Sequence, residues 1–573
     1  GVDWFDLSAT VDYGGTTAAL PDLLAALRRG DNMVALDDGS FGMLPEEWLR
    51  RYGHLAGLGH AEGEKVRFRR AQAGLLDALL AGQPEVRVDR AFARARAELE
   101  RFSGIEPATP PASFVGELRP YQTEGLGWLL FLRQFGFGGC LADDMGLGKT
   151  VTVLALLETE RASRRKKARN TSLVVVPKSL VFNWKLEAAR FAPKLRVLDH
   201  TGTGRPKSVE GFEPYDLLLT TYGTLRRDAL LFKDAKFRYV ILDEAQAIKN
   251  ASTDAAKAAR LLDGEHRLAM SGTPVENHLG ELWSLFEFLN PGLLGSASAF
   301  KLFGGGERSA APETRDMLAK ALRPFILRRT KDQVAKDLPE KSEQTIYCDL
   351  EPAQRKLYDQ LLRHYRDSLL GRVERDGIKR SKIQVLEALL RLRQAACHPG
   401  LVDKKRAKES SAKLDVLLEH LRQIVDEGHK ALVFSQFTSL LAIVRDRLDR
   451  EGVGFEYLDG KTRDRAARVD RFQTREDCRL FLISLKAGGL GLNLTAAEYV
   501  FLLDPWWNPA VEAQAVDRAH RIGQQRPVMV YRLVAEQTIE EKVMELKARK
   551  AELFSRVMDD GGALSSALTA EDV

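Results

Sequence analysis

The chain has 573 residues, which at about 150 residues per domain corresponds to three or four domains. Its 44% hydrophobic and 29% charged residues are typical of a soluble globular protein, and no apolar run is long enough to cross a membrane. The net charge of +6 is compatible with nucleic-acid binding but too small to indicate it. The four cysteines form no C-x-x-C pair, which argues against a zinc knuckle or a disulfide framework and fits a reducing compartment.

Five segments differ in their patterning. Residues 1–112 mix apolar positions with Arg and Glu and end in the proline-rich ATPPAS, which predicts a partly helical N-terminal accessory module and linker. Residues 113–290 and 413–535 alternate short β-branched runs with helical stretches, which predicts two α/β lobes. Residues 291–412 are dominated by helical periodicity and predict a helical insertion and inter-lobe linker, and residues 536–573 predict a C-terminal bridging helix and tail. The opening GVDWFDLSAT lacks a secretory signal pattern, so we interpret the chain as a trimmed piece of an intracellular protein.

The predicted strands are short apolar runs, as expected for parallel strands that are buried on both faces of a sheet. In the first lobe they begin at Ser172, Asp216 and Arg238, and in the second at Ala431, Phe455, Arg479, Tyr499 and Val528. The predicted fold class is therefore α/β, with two parallel sheets that are each covered by helices on both faces.

A glycine-rich segment, DDMGLGKT (Asp143–Thr150), follows the apolar GGCLA and precedes the helical VTVLALLE. A strand, a glycine loop and a helix start form a phosphate-binding loop, in which backbone N–H groups and the helix dipole hold phosphates. Lys149 would contact the β- and γ-phosphates and Thr150 would bind Mg²⁺. Asp143 stands where that pattern has its first glycine, so the segment alone also fits a glycine-rich helix cap with an exposed lysine.

Two carboxylates, Asp243 and Glu244, directly follow the apolar YVIL at the end of a predicted buried strand. Such a pair suits Mg²⁺ coordination by Asp243 and activation of the attacking water by Glu244. An ordinary helix N-cap is the alternative for an isolated Asp-Glu pair. Together with the Gly-Lys-Thr loop about a hundred residues upstream, the pair indicates a nucleoside triphosphatase.

Eleven motifs then occur in order. They are LRPYQTEGLGWL (from Leu118), LADDMGLGKT, VVVPKSLVFNW (from Val174), TTYGTLRRD (from Thr220), DEAQAIKN, MSGTPVENHLGELWSLFEFLNPGLLG (from Met270), FILRRTKDQVAKDLPEK (from Phe325), KALVFSQFT (from Lys430), YLDGKT (from Tyr457), LISLKAGGLGLNLTAAEYVFLLDPWWNP (from Leu482) and EAQAVDRAHRIGQQRPV (from Glu512). Together they resemble the ATPase core of the Swi/Snf family of DNA translocases, a branch of the superfamily-two helicase-like enzymes. The resemblance covers about Glu117 to Arg549 and implies two RecA-like lobes in a bacterial member of the family, where an Asp at the position of Asp143 is usual.

The resemblance implies ATP and Mg²⁺ as cofactors and assigns residues to them. Gln122 would hydrogen-bond the adenine edge with support from Arg119, and Ser271–Pro274 would link hydrolysis to DNA movement. The remaining nucleotide contacts would come from the phosphate loop, at Asp144, Met145, Gly146, Leu147, Gly148, Lys149 and Thr150.

Arg518 and Arg521 lie three residues apart on the helix predicted after Trp507, so they would share one helix face. The resemblance implies that they reach the γ-phosphate as arginine fingers, with Gln514 one turn earlier. A solvated basic helix face is the alternative for an isolated R-x-x-R.

A translocase needs a DNA-binding contact on each lobe. Contacts with backbone phosphates are suitable for movement along DNA because they do not depend on the base sequence. The resemblance places such contacts at Lys178, Thr221, Tyr222 and Gly223 in the first lobe, and at Ser435, Gln436, Lys486, Gly488, Gly489 and Trp507 in the second. Trp506 and Trp507 could equally pack in the core. Arg328, Arg329 and Lys331 form a local basic cluster that we expect to touch the second DNA strand.

The predicted function is an ATP-dependent translocase on double-stranded DNA that remodels protein–DNA complexes without strand separation. Its partners would be duplex DNA and a DNA-bound protein or RNA polymerase, with no membrane partner, in the bacterial cytoplasm near the nucleoid. One alternative is a helicase that separates strands. The other is a non-catalytic ATP-dependent clamp, for which loss of Lys149, Glu244 or an arginine finger is expected, whereas all are present.

Overall fold

The computed structural model describes residues 4–29, 31–44, 60–63, 65–69, 72–73, 76–77, 90, 92–93, 106–163, 171–178, 180–202, 204–272, 279–295, 321–485 and 492–547. The chain divides into two compact units. The main division in sequence falls between Thr330 and Lys331, and the short segment Met145–Leu147 groups with the second unit. Within the described ranges, no helix combines the length and the apolar character needed to span a bilayer.

The N-terminal segment contributes small antiparallel elements to the first unit. Two hairpins, β2–β3 and β4–β5, stand beside a three-stranded sheet of order β1-β7-β6. The apolar side chains of the three-stranded sheet join the core of the first unit, where Phe5 and Phe68 pack in the same cluster as Trp128. The hairpin residues Ala18 and Val34 belong to a separate small cluster. The elements are β1 (Trp4–Leu7), β2 (Thr10–Asp12), β3 (Thr17–Ala19), α1 (Leu20–Arg29), β4 (Met33–Ala35), β5 (Phe41–Met43), β6 (His60–Glu62) and β7 (Lys65–Arg69).

The first unit is built on a seven-stranded, all-parallel sheet of order β10-β11-β9-β12-β13-β8-β14. Its strands are β8 (Gly139–Leu141), β9 (Ser172–Val176), β10 (Val197–Asp199), β11 (Leu217–Thr221), β12 (Lys236–Asp243), β13 (Asp263–Met270) and β14 (Ile326–Leu327). The helices are α2 (Pro120–Phe135), α3 (Lys149–Ser163), α4 (Val181–Phe191), α5 (Tyr222–Arg227), α6 (Ala229–Asp234), α7 (Asp254–Arg260) and α8 (Leu279–Leu289).

Successive residues of a strand point to opposite faces of the sheet, and both faces of this sheet are covered. In β9, Val174 and Val176 belong to one apolar cluster, whereas Leu173 and Val175 belong to another on the opposite face. This burial on both faces explains why β9, β11 and the second half of β12 are largely apolar in sequence. The three strands predicted to begin at Ser172, Asp216 and Arg238 are confirmed.

The second unit is built on a six-stranded, all-parallel sheet of order β15-β20-β19-β16-β18-β17. Its strands are β15 (Lys341–Cys348), β16 (Ala431–Ser435), β17 (Phe455–Leu458), β18 (Leu480–Ser484), β19 (Tyr499–Leu502) and β20 (Val528–Ala535). The helices are α9 (Lys331–Val334), α10 (Pro352–Cys397), α11 (Ala412–Asp426), α12 (Thr438–Glu451), α13 (Arg465–Thr474) and α14 (Pro509–Val516). All five strands predicted for the second lobe are present, so the α/β fold class with two parallel sheets is confirmed.

The stretch 291–412 is only partly helical. The 46-residue helix α10 accounts for its helical periodicity. Strands β14 and β15 also lie in this stretch and belong to the two main sheets, so the prediction of a helical insertion and inter-lobe linker missed both strands. The physical reason is that both are edge strands: β14 has two residues, and β15 alternates polar side chains that are mostly not buried, so neither shows an apolar run. In the predicted bridging helix, residues 539–547 are helical and the rest of that segment lies outside the described residues.

Candidate active site

The carboxyl ends of the strands in the first sheet carry most of the predicted site residues of this unit. Because the sheet is all-parallel, these ends meet at one edge, which is where α/β sheets bind ligands. The following residues stand at the last position of a strand or within two residues after it: the loop from Ala142 after β8, Lys178 after β9, Thr221 in β11, Asp243 in β12, Ser271 after β13 and Arg329 after β14.

The loop between β8 and α3 has the backbone of a phosphate-binding loop. Gly146 and Gly148 have φ angles of 86° and 75°, in the left-handed region that favours glycine. Helix α3 begins at Lys149, so its first N–H groups open onto the loop. The Lys149 Nζ donates to the backbone oxygens of Asp143 at 2.6 Å and Asp144 at 3.3 Å, which holds the ammonium inside the loop.

Asp143, which replaces the first glycine of the usual pattern, is buried in an ion pair with Arg329. The guanidinium donates from Nε to Oδ1 at 3.0 Å and from Nη2 to Oδ2 at 2.6 Å. Arg329 is only 8% exposed, and therefore the prediction that it touches DNA was wrong. The same correction applies to Lys331, which is 9% exposed and bonds to Asp517 and the His520 carbonyl in the second unit. In both cases the buried cation is held by a carboxylate, as burial of a charge requires.

The predicted adenine-binding segment contacts the phosphate loop. The Arg119 backbone N–H donates to Oε1 of the buried Gln122 at 2.9 Å, which fixes the amide at the start of α2. A Cβ at Gly148 would lie only 2.5 Å from the Gln122 Nε2, so this position needs glycine for close approach as well as for its positive φ. Gln122 is thus in place beside the nucleotide loop, and its contact with adenine stays a prediction.

Asp243 is held by three hydrogen bonds at the end of β12. The Trp184 indole Nε1 donates to Oδ2 at 2.8 Å, the Glu244 backbone N–H donates to Oδ1 at 2.9 Å, and the Tyr222 hydroxyl donates to the Asp243 carbonyl at 2.8 Å. Burial, together with the neighbouring Glu244 carboxylate, raises the pKa of Asp243 to about 7, while the Lys149 ammonium acts in the opposite direction. Lys149 follows β8 and Asp243 ends β12, so both lie at the carboxyl edge of the same parallel sheet.

Glu244 has a strained backbone, with φ at 50° and ψ at 54°. Non-glycine residues in this region are uncommon and concentrate at functional sites. Its Oε2 accepts a hydrogen bond from the Gln246 Nε2 at 2.5 Å, and the Gln246 Oε1 accepts one from the Ser271 hydroxyl at 3.1 Å. The acidic pair is therefore connected to the end of β13, where the predicted linking motif begins; Thr273 and Pro274 of that motif lie outside the described residues.

The donor set at this edge fits Mg²⁺. Thr150 supplies a hydroxyl and Asp243 a carboxylate, and oxygen ligands are those that Mg²⁺ prefers. Among the described residues, no group of three or more His, Cys, Asp or Glu side chains could hold a metal ion. Mg²⁺ is usually bound by one or two protein ligands together with substrate phosphates, so the set fits an ion that arrives with a nucleotide.

The residues of the first unit that are predicted to contact DNA differ in solvent exposure. Lys178 and Gly223 are exposed. Thr221 is buried and caps α5, since its hydroxyl accepts from the Thr224 backbone N–H at 3.1 Å. The Tyr222 hydroxyl bonds to the Asp243 carbonyl, and burial raises the pKa of that phenol well above its usual range. Of these four residues, Lys178 and Gly223 are the exposed ones, and the contacts of all four with DNA stay predictions.

In the second unit, the predicted arginine fingers do not lie on a helix. Helix α14 carries Gln514 but ends at Val516, and Arg518 and Arg521 lie in the turns that follow. The prediction of one shared helix face was therefore wrong. The backbone N–H groups of Arg518 and Ala519 donate to the carbonyls three residues before them, at 3.3 Å and 3.0 Å. Such hydrogen bonds form turns that are tighter than an α-helix, so the α-helix ends at Val516.

The predicted DNA residues of the second unit surround Asp504. The Ser435 hydroxyl is fully buried and donates to Asp504, and its contact with DNA stays a prediction. Gln436 is half-buried, and its backbone N–H also donates to Asp504 at 3.2 Å. Trp507 is half-buried, with the Arg393 guanidinium 5.6 Å from its ring centre. Lys486, Gly488 and Gly489 lie outside the described residues.

Three residues that position the site were not assigned that role from the sequence. They are Trp184, Gln246 and Arg329, whose contacts with Asp243, Glu244 and Asp143 are given above. All three lie inside motifs that had been recognised as VVVPKSLVFNW, DEAQAIKN and FILRRTK. The available signal was thus their position in these motifs, but the residue types alone do not indicate which atom they contact.

Comparison with known proteins gives two family matches. Residues 121–401 match the SNF2-related domain, and residues 412–523 match the helicase conserved C-terminal domain. The chain is similar to the putative ATP-dependent helicase/translocase YwqA of Bacillus subtilis, with 41% identity over 478 residues that cover 80% of this chain and 50% of the relative. It is also similar to the mouse SWI/SNF-related matrix-associated actin-dependent regulator of chromatin subfamily A member 1, with 36% identity over 467 residues that cover 78% of this chain and 44% of the relative.

A solved structure is similar in sequence as well. The Sulfolobus solfataricus SWI2/SNF2 ATPase core in complex with dsDNA is 36% identical, and the alignment covers 80% of this chain and 95% of that chain. Its TM-score is 0.40, so the superposition is too loose for contacts to be transferred from it. The chain spans about half the length of the curated relatives that it matches.

Proposed function

Because the chain belongs to the SNF2-related family of helicase-like ATPases, we propose that it hydrolyses ATP with Mg²⁺ in order to translocate on double-stranded DNA. On this proposal the translocation remodels protein–DNA complexes without separating the strands. The remodelled partner would be a DNA-bound protein or RNA polymerase, in the cytoplasm near the nucleoid.

The main observation behind the proposal is that the phosphate-binding loop and the acidic pair lie at the same edge of one sheet. Lys149 begins the helix that follows β8, in a loop with two positive-φ glycines, and Asp243 and Glu244 stand at the end of β12 in the same sheet. In a phosphoryl-transfer site the lysine and the metal ion neutralise the charge on the phosphates, while a second group orients the attacking water. We assign Lys149 to the phosphates, Asp243 and Thr150 to Mg²⁺, and Glu244 to the water.

The second part of the site would come from Gln514, Arg518 and Arg521. Arginine fingers are typically worth about 10³ to 10⁵ in turnover, because they stabilise charge that develops on the transferred phosphoryl group. Since these residues belong to the other compact unit, hydrolysis would depend on the arrangement of the two units. Any ligand that binds both units in the productive arrangement would raise turnover by shifting that equilibrium.

Duplex DNA is the ligand that we propose for this role. On the first unit, the exposed Lys178 and the Gly223 turn follow strands β9 and β11 at the nucleotide edge of the sheet. On the second unit, Gln436, Trp507 and the segment that contains Lys486, Gly488 and Gly489 are the proposed contacts. The Sulfolobus solfataricus core, 36% identical, was solved in complex with dsDNA, which supports the choice of duplex DNA.

The test is phosphate release with and without duplex DNA. We expect slow ATP turnover alone and clear stimulation by duplex DNA, with Lys149→Ala as the inactive control. A strand-displacement assay under the same conditions should be negative, and product strands would instead favour the strand-separating helicase. Equal turnover with and without DNA would contradict the proposal.

A further inference from the structure

Residues 503–507 form a short segment of the second unit that lies between β19 and α14 and includes Trp507, a proposed DNA contact. The segment is neither helix nor strand, yet Leu503, Asp504 and Pro505 are buried. Buried backbone outside regular structure needs polar partners from other parts of the chain. Here each of the first four residues is held by a polar group from a different element of the second unit.

Two buried charged side chains hold the main chain on either side of Asp504 and Pro505. The Lys413 Nζ in α11 donates to the Leu503 carbonyl at 2.9 Å. The Glu512 Oε1 in α14 accepts a hydrogen bond from the Trp506 backbone N–H at 2.7 Å. The Lys413 and Glu512 side chains are both 2% exposed, so their hydrogen bonds are shielded from water and stronger than at a surface.

The Asp504 carboxylate attaches the segment to the end of β16. It accepts hydrogen bonds from the Ser435 hydroxyl and from the Gln436 backbone N–H, the latter at 3.2 Å. Burial raises the pKa of Asp504 to about 6, while the Ser435 hydrogen bond and the nearby Arg393 cation act in the opposite direction. One buried carboxylate therefore connects the turn that carries Gln436 with the segment that carries Trp507.

Arg393, near the end of α10, holds the middle of the segment. Its Nη2 donates to the Pro505 carbonyl at 2.6 Å and lies 3.9 Å from the Asp504 Oδ2. Arg393 is 3% exposed, and its Nε has no hydrogen-bond partner among the residues that the structure describes. A buried cation with an unused N–H needs compensation from its surroundings, because it has lost its hydration.

Three aromatic rings surround this guanidinium. Its central carbon is 5.6 Å from the ring centre of Trp507, 5.8 Å from that of Trp506 and 5.9 Å from that of Phe437. A cation within about 6 Å of a ring centre is attracted to the ring, and more strongly where water is excluded. Phe437 is buried, whereas Trp506 and Trp507 are half-buried. The buried cation therefore holds two indole rings that keep part of their surface open to solvent.

We propose that Arg393 is a positioning residue that holds the Trp507 ring in the orientation in which it contacts duplex DNA. The proposal rests on the proposed function, from which it takes the DNA contact of Trp507. A freely rotating indole would have to order its side-chain torsions on binding, whereas a ring that is already held loses less entropy. Arginine suits this role better than lysine, because a guanidinium is planar, stacks on aromatic rings and donates in a fixed fork.

The test is a double-mutant cycle on equilibrium binding of a short DNA duplex by the full chain. We expect Trp507→Ala to weaken duplex binding by about tenfold and Arg393→Met by at least about fivefold, where tenfold corresponds to about 1.4 kcal/mol. In the double variant, Arg393→Met should add less than about twofold to the loss from Trp507→Ala, whereas independent effects would multiply to about fiftyfold. Binding of a non-hydrolysable ATP analogue should stay as in the wild type, because the contacts of Arg393 given above do not include the phosphate loop or the acidic pair.

A matched control and a folding safeguard accompany the cycle. Arg391 is half-buried on the same helix and donates to the Gln394 Oε1 at 3.3 Å, so Arg391→Met removes the same charge and should leave duplex binding unchanged. If circular dichroism shows that Arg393→Met does not fold, Arg393→Lys takes its place in the cycle. It keeps a buried cation beside Asp504 but lacks the planar fork, so it should show a smaller loss with the same lack of additivity.

A second measurement needs no DNA. The chain has seven tryptophans, and Arg393→Met should change the intrinsic tryptophan emission because the guanidinium leaves two of the indoles. The same substitution should cause no change in a background where Trp506 and Trp507 are both replaced by Phe. Emission that is equally altered in that background, or not altered in either, overturns the proposal.

The binding results have defined consequences. Additive losses in the cycle would overturn the proposal, because Arg393 would then act on the stability of the unit and not through Trp507. Wild-type duplex binding by Arg393→Met, with weak binding by Trp507→Ala, would overturn it as well. If the wild-type protein does not bind duplex DNA, or Trp507→Ala binds it normally, the proposed DNA contact is what fails, and the emission measurement still decides whether Arg393 holds the two indoles.

Discussion

Replacement of Trp184 by Phe removes one hydrogen bond from Asp243 while an aromatic ring remains in the same buried position. The indole Nε1 donates to the Asp243 Oδ2 at 2.8 Å, and the Trp184 side chain is 1% exposed. A hydrogen bond to a charged group is worth about 1.5–3 kcal/mol, and about 1.4 kcal/mol corresponds to one pKa unit. The pKa of Asp243, already raised to about 7, should therefore rise by a further one to two units.

The consequence is a loss of metal–nucleotide binding that depends on pH. Mg²⁺ binds the ionised carboxylate, so a proton on Asp243 competes with the metal. With its pKa raised by about 1.5 units, the ionised fraction of Asp243 at pH 7.5 falls roughly eightfold, and the affinity for the Mg²⁺ complex of ATP should fall by a similar factor. The direction of the pH dependence follows from the raised pKa of Asp243. The loss of affinity in the variant is largest below the new pKa and disappears as the pH increases beyond it.

The assay is an equilibrium titration with Mg²⁺ and a non-hydrolysable ATP analogue at pH 7.5 and pH 9.5. Trp128→Phe is the matched control, because Trp128 is also fully buried and donates its indole N–H at 3.0 Å, but to the Pro324 carbonyl. We expect Trp184→Phe to bind weakly at pH 7.5 and nearly as wild type at pH 9.5. An equal deficit at both pH values would indicate lost packing and refute the reasoning, as would no deficit at all.

Four further predictions concern the site, the DNA and the second unit. Glu244→Gln should bind ATP but lose about 10² to 10⁴-fold in phosphate release, and retention of more than about a tenth of turnover would contradict its role with water. Arg521→Ala should abolish the DNA-stimulated rate and leave ATP and DNA affinities within a few-fold in titrations, since a finger acts on the transition state. Duplex binding should weaken steeply between about 50 and 200 mM salt, because phosphate contacts dominate it, and a flat titration would contradict backbone tracking. Lys413→Met should destabilise the second unit by about 3–5 kcal/mol in denaturant unfolding, because it leaves a buried carboxylate without its cation. That carboxylate belongs to Glu540, which is fully buried and lies 2.5 Å from the Lys413 Nζ. Lys405→Met, at an exposed position, should have little effect.

The meeting of the glycine loop and the acidic pair at one sheet edge was predictable because both motifs are local. The glycine loop is followed directly by a helix, and Asp243 ends a strand that reads as an apolar run. In a parallel sheet such strand ends must meet at one edge, so the order of motifs along the chain is sufficient to bring these residues together. The positioning contacts could not be predicted in the same way, because Trp184 and Asp243 are 59 residues apart and Arg329 and Asp143 are 186 apart.

Where the predictions were wrong, a short sequence pattern indicated one local structure, and contacts with residues distant in sequence produced another. An R-x-x-R spacing fits a helix face, yet the chain after Val516 tightens into turns that Lys331 holds from a distant position in sequence. A run of basic residues around Arg329 suggests a DNA-binding surface, yet the fold encloses two of these cations with carboxylates. All eight residues of strand β15 pair with β20. The residues of β15 are mostly polar, so the strand forms because of this pairing and is not visible as an apolar run in the sequence.

The sequence by itself determined the α/β class, most of the buried strands and the position of the catalytic motifs at strand ends, because hydrophobic periodicity and turn chemistry act over a few residues. Only the tertiary structure decided which charges are buried, which partners they have and where a helix gives way to turns. These outcomes depend on desolvation and on residues that are far apart in sequence, so no local pattern contains them. Asp143 shows the difference: its place in the loop is visible in the sequence, whereas its buried partner Arg329 is visible only in the fold.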